Sequence, residues 1–120
     1  MSKQYQQHNI LGNELGICGT DPNTGFYRDG YCNTGDDDTG THTVCGIMND
    51  EFLEYTKGKG NDLSTPNSYF PGLKNDDKWC ICALRYKQAL KDGKAPMIIP
   101  SATNEKTLEY VTYEELMQSV

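Results

Sequence analysis

A chain of 120 residues with 11 basic and 17 acidic side chains carries a net charge of −6, the wrong sign for a partner made of phosphates. That length supports one hydrophobic core, and no apolar run approaches membrane-spanning length, so neither nucleic acid nor a bilayer is an expected partner. Five cysteines is an odd count and the opening MSKQYQQHN is polar, so the expectation is a cytoplasmic protein with reduced thiols rather than a complete disulfide framework.

Residues 1–8 read as a mobile tail and 9–120 as a single domain. Asn9 to Leu15 brings the first apolar residues in a short extended segment interrupted at Gly12. Asp21 to Gly25 is a turn, since Pro22 fixes φ and Gly25 can take positive φ. The whole stretch from Asp21 to Cys45 has no helical or strand period and is too long for an ordinary connection. Phe26, Tyr27, Tyr31 and Val44 give it apolar anchors, so it reads as an ordered loop that builds a surface. Thr41 to Met48 is β-branched and apolar enough for a strand. Asn49 or Asp50 caps a helix with Phe52, Leu53 and Thr56 inward, stopped by Gly58 or Gly60. Asn61 to Pro71 is irregular again, pinned by Leu63, Tyr69 and Phe70, and Gly72 to Asp77 is a polar turn.

Lys78 to Leu84 is the best strand pattern. Trp79, Ile81 and Ala83 share one face, Cys80, Cys82 and Leu84 the other; both are apolar, so a central strand is expected. Arg85 to Lys91 reads as helix, with Leu84, Ala89 and Leu90 as its stripe and Gly93 as its end. Ala95 to Ile99 is a short buried strand between Pro96 and Pro100. Thr103 to Val111 holds a helical turn with Leu108 inward. Thr112 and Glu115 have capping-box spacing and open a last helix with Leu116 and Met117 inward. The fold class is therefore α+β: one compact domain with a small mixed or antiparallel sheet, two or three short helices and long ordered loops.

The string Pro22-x-Thr24-Gly25-Phe26-Tyr27-Arg28-Asp29-Gly30-x-Cys32-x-Thr34-Gly35 resembles the uncharacterised bacterial proteins grouped as domain-of-unknown-function family 2237. So do Asp38-x-Gly40-x-His42-x-Val44-Cys45, Gly60 to Pro66, Phe70 to Lys74, and Trp79-Cys80-x-Cys82-Ala83-x-Arg85. The likeness runs over about residues 9 to 118 in five ordered blocks. It implies a fold family and supplies no activity. One departure stands after Ala102-Thr103, where the pattern suggests histidine and this chain has Asn104.

No cysteine pair has CxxC spacing, which removes zinc-ribbon and thioredoxin-like motifs. Cys32, His42, Cys45 and one of Cys80 and Cys82 form a weaker set that could converge on zinc. Buried packing is the favoured reading for Cys45, Cys80 and Cys82, so no cofactor or metal is favoured. Thiol chemistry is a second hypothesis: Cys32 lies near Arg28, and His42 could act as its base. The third is a binding surface using Arg28, Asp29, Asn61, Asp62 and Arg85, each of which alone reads as a loop clamp or turn cap, lining one pocket with Tyr27 and Tyr31. Asp36-Asp37-Asp38 is not a calcium loop, because Thr41 and Ile47 stand where such a loop needs glycine and glutamate; a solvated acidic turn is expected. The leading expectation is a protein that binds a small polar ligand or a protein partner on a surface made by loops 21–40 and 60–77. The alternative is a thiol- or zinc-dependent enzyme using Cys32, His42 and Cys45.

Overall fold

The computed structural model describes residues 7–68 and 70–120. Three antiparallel strands form one sheet in the order β2-β1-β3: β1 is His42–Ile47, β2 Lys78–Cys82 and β3 Met97–Ile98. Helices α1 (Asp50–Gly58), α2 (Ala83–Lys91) and α3 (Tyr113–Met117) accompany it, with 3-10 turns at Pro100–Ala102 and Glu105–Glu109. The α+β expectation holds. No helix among the described residues is long and apolar enough to cross a membrane. Residues 1–6, most of the expected tail, lie outside the described residues, as does Tyr69. Gln7 and His8 are tied to the body: the Gln7 amide donates to Thr34 O, and His8 O accepts from Glu105 N.

The strongest local signals are realised. Asn49 caps α1 by accepting from the Phe52 amide at 2.7 Å, and Phe52, Leu53 and Thr56 are buried beneath it. Thr112 and Glu115 exchange both bonds of a capping box at α3, where Leu116 is buried and Met117 half-buried. Trp79, Ile81 and Ala83 are buried as the alternation requires, and Tyr86 closes the core with its hydroxyl 2.6 Å from Ser119 Oγ. Removing a buried ring such as Phe52 would cost about 3–5 kcal/mol.

Three expectations are corrected. The Lys78–Leu84 segment is not central; β1 is, and β2 is an edge strand. Its outer edge is covered by loop rather than strand, for the Cys80 amide donates to Thr24 Oγ1 at 2.8 Å. A covered edge needs no neighbouring strand, so apolar faces on both sides did not imply a central position. The strand also ends at Cys82, and Ala83 and Leu84 open α2, leaving Leu84 57% exposed. Near the C-terminus Leu108 is exposed, and Thr107 points inward instead, its hydroxyl 2.7 Å from Thr43 Oγ1. The 3-10 winding of Glu105–Glu109 moves the inward position by one residue relative to an α-helix.

Candidate functional site

The cysteines depart most from expectation. Cys18 is bridged to Cys45 and Cys32 to Cys80, which leaves Cys82 as the free cysteine. The sulfurs of Cys18, Cys32 and Cys45 lie within 4.8 Å of one another, in a buried cluster with Cys80 and Ala102. Reduced thiols were expected, with Cys32 as nucleophile and Cys45 as a further candidate of the thiol- or zinc-dependent alternative; both are bridged and offer no thiolate. The zinc set of Cys32, His42, Cys45 and Cys80 or Cys82 is likewise not assembled: His42 is outside the sulfur cluster, and Cys18, absent from that set, is inside it. Sequence spacing gave no hint of pairing, because each bridge joins a loop cysteine to a strand cysteine far along the chain.

The Cys32–Cys80 bridge holds loop 21–40 against the sheet, and Cys18–Cys45 ties down the chain just before it. Within it Gly25 has φ +97°, and a Cβ there would sit 2.2 Å from Tyr31 O, so only glycine fits. Arg28 follows in the left-handed region at φ +57°, unfavourable for a long side chain. Its guanidinium offsets that cost by donating to Gly25 O at 2.6 Å and lying 5.0 Å over the Trp79 ring. Trp79 also meets Phe70, at 5.2 Å between ring centroids. Asp29 is a clamp, accepting from the Tyr31 amide and from Asn33 Nδ2.

The acidic turn divides into two parts. Asp36 and Asp37 are exposed, but Asp38 is buried, which corrects the solvated reading for that residue. Its carboxylate accepts from the His42 amide at 2.8 Å and Thr34 Oγ1 at 3.0 Å, and its Oδ1 lies 2.6 Å from His42 Nδ1. A bonded Nδ1–H leaves Nε2 as the lone-pair nitrogen of the neutral ring. The imidazole stacks on Phe26 at 6.1 Å and 19°. Gly40 packs against it from the chain behind, where a Cβ would come within 2.5 Å of Cε1.

Between the two long loops opens a cavity of about 410 Å³. Gly25, Phe26 and Arg28 come to it from the first loop, Asn61, Asp62, Leu63 and Phe70 from the second, and His42 and Trp79 to Cys82 from the sheet. Asn61 donates to Thr56 Oγ1, while Asp62 accepts from the Ser64 and Thr65 amides. The Thr65 hydroxyl first, and then the Thr65 and Ser64 amides, hold the Asp62 carboxyl below the usual carboxylate range. Among the described residues Arg28 has no ion-pair partner.

Of the residues singled out in the sequence, Arg28, His42, Asn61, Asp62, Cys80 and Cys82 meet at this cavity. Tyr27, Asp29, Tyr31, Arg85, Cys32 and Cys45 do not line it. Tyr27 instead donates to Asp37 at 2.7 Å, which with desolvation pushes its phenol up to about 12. Arg85 donates to Lys59 O. Asn104, in the place of the expected histidine, is buried and structural: its amide nitrogen reaches Cys32 O and its backbone N reaches Thr43 O. Sequence reasoning missed Asp38 as a partner of His42. The signal was the four-residue spacing between them, overshadowed by the neighbouring acids.

Residues 8–120 match the family model DUF2237, described as an uncharacterized protein conserved in bacteria. No curated protein matches the chain.

Proposed function

The chain belongs to the DUF2237 family, and from that premise we propose that it binds a small molecule bearing a carboxylate in the cavity between loops 21–40 and 60–77. The observation that carries this reading is Arg28: a guanidinium on the cavity wall, without a carboxylate partner among the described residues, oriented by Gly25 O and the Trp79 face. One guanidinium nitrogen is used on Gly25 O; the rest of the fork matches a carboxylate bidentately. Trp79, Phe70 and Leu63 offer the apolar surface for the body of the ligand. A volume of about 410 Å³ suits a small molecule better than a protein surface, which wants a flatter patch.

The test is thermal unfolding with a panel of small carboxylic acids beside their amides. A bound acid at a hundred times its Kd would stabilise the fold by about 2.7 kcal/mol. Acids should raise Tm while the matching amides do not, and Arg28→Gln should abolish the difference. Equal shifts for acid and amide, or an Arg28→Gln protein that responds like the parent, would remove the proposal.

The proposed compartment is the cytoplasm. There the bridged cysteines, none more than 3% exposed, are shielded by burial from attack by the thiol pool. Alkylation in lysing cells should label Cys82 alone; five labelled thiols would mean that the bridges are absent in that compartment.

A further inference from the structure

We infer that Cys82 is the nucleophile of an acyl-transfer site, with His42 as its base and Asp38 positioning that base, acting on a small ester or thioester that carries a carboxylate. The carboxylate requirement rests on the binding reading above; the nucleophile stands on separate observations.

Four of the five cysteines are committed to bridges, and the one that is not is partly exposed on the wall of the cavity. Cys82 is also the N-cap of α2, and its side chain makes no capping bond there. A thiolate at that place faces the positive end of a nine-residue helix. Helix geometry leaves the Leu84 and Arg85 amides without acceptors inside α2, so they are available to an oxyanion forming beside the sulfur.

The sheet register brings the base. Cys80 pairs with Cys45 and Ile81 with Val44, so a regular ladder would set Thr43 opposite Cys82. A bulge intervenes between His42 and Val44, and His42 takes that place instead. Directly opposed side chains share a face, with Cβ atoms about 4.5–5.5 Å apart. Bulges of this kind re-aim side chains beside sites. The ring is then fixed from three sides: Asp38 on Nδ1, Phe26 on one face and Gly40 behind. Asp38 has no exposed side-chain surface and is itself oriented by Thr34 and the His42 amide, so it is a positioning group rather than one that meets substrate. Thiol, imidazole and carboxylate thus stand in the order of a nucleophile, its base and the orienter of that base.

The step balances without an added oxidant or metal. The Cys82 proton passes to His42 Nε2 as sulfur attacks the carbonyl carbon. A carbon–sulfur bond forms, the bond to the alkoxide or thiolate breaks, and the leaving group takes the proton from Nε2. Water, giving a proton to the same nitrogen, then attacks the acyl thioester. The carbon–sulfur bond breaks, the thiol regains its proton, and a carboxylic acid departs. Arg28 would hold the substrate's own carboxylate at the far wall.

The test uses the oxidised full chain with p-nitrophenyl acetate and its succinate monoester counterpart. Peptide mapping should find the acyl group on Cys82, with release of one p-nitrophenolate per chain in a burst. Cys82→Ser should lose the burst. His42→Gln should slow acylation about a hundredfold, the usual contribution of a positioned general base. Asp38→Asn should lower the rate at unchanged half-saturation. The succinyl ester should react faster than the acetyl ester, and Arg28→Gln should erase that preference alone. Acylation elsewhere than Cys82, or a folded His42→Gln protein reacting at the parental rate, overturns the nucleophile. Should His42→Gln fail to fold, the Cys82 alkylation rate of the wild-type protein decides: parity with its own denatured state overturns the inference. Loss of the succinyl preference with the burst intact removes only the carboxylate reading.

Discussion

The two loops that enclose the cavity are held in opposite ways. Loop 21–40 is fastened at long range by a bridge from Cys32 to Cys80 and by Thr24 on the Cys80 amide, and locally by buried Asp38 on His42. Loop 60–77 is fastened to itself through Asp62 on Ser64 and Thr65 and through Asp77 on Lys74, and its far end is tied by the Asp76 and Asp77 backbone to Met48, just past β1. Only Leu73 of its described residues is buried. The first loop is a fixed wall that carries Arg28 and orients His42. The part of the second around Asp62 can change with less cost to the body, because its side-chain bonds stay within the loop. A pocket built this way places chemistry on the stapled side and leaves adjustment to the other.

Breaking the Cys32–Cys80 bridge is the strongest attack on that contrast. Cys32→Ala should destabilise the protein by about 2–5 kcal/mol, measured by denaturant unfolding, since a native bridge restrains the unfolded chain. The same change should abolish ligand-induced shifts in Tm, because Arg28 would lose its frame. A protein as stable as the parent would mean that loop 21–40 is not stapled. Next in size is Asp38→Ala, which strips an acceptor from three donors. Leaving buried donors unsatisfied costs about 1–3 kcal/mol. Near-parental stability would show that the wall does not depend on its buried acid.

Much of the scaffold was legible because it rests on local chemistry. Asn49 before Phe52 and the Thr112–Glu115 pair are short-range signals, and both caps formed. The Trp79–Ile81–Ala83 alternation found the core for the same reason. What could not be read depends on residues distant in sequence. Thr24 covers the edge of β2 across 56 positions, so an edge strand looked central. The bridges pair cysteines 27 and 48 positions apart, and an odd count suggested that no framework existed, when one cysteine was simply left over. The candidate site was half legible. Arg28, His42, Asn61 and Asp62 were all marked, and Cys80 and Cys82 as metal candidates, but the thiol hypothesis rested on Cys32, which is bridged and does not line the cavity. The inference of Cys82 rests on the bulge and the start of α2, neither of which leaves a mark in composition.

On the adjustable side the effects are smaller. Asp62→Ala removes the cap of the Ser64–Thr65 turn and should lower Tm only slightly, because water competes for these exposed bonds, with weaker carboxylate binding as the loop loses its shape. A loss as large as that of Cys32→Ala would erase the distinction between the loops.

The smallest effect sharpens the comparison from within the stapled loop, where Tyr27 donates to Asp37 at the surface. That bond stabilises the neutral phenol and, with desolvation, moves it from 10.0 to about 12. A tyrosine whose folded-state pKa is raised contributes stability that is fully present below pH 10 and is lost as pH climbs toward about 12. Phenolate absorbance should therefore show a late-titrating tyrosine that Tyr27→Phe removes. Tyr55, raised to about 12 by Asp92 on the helical side, serves as the internal reference that the substitution leaves in place. At neutral pH the change should cost about 0.5 kcal/mol, because water competes for an exposed bond. The bridge thus holds loop 21–40 with far more strength than its surface bonds, and a Tyr27→Phe loss approaching that of Cys32→Ala would place the staple at Asp37 instead.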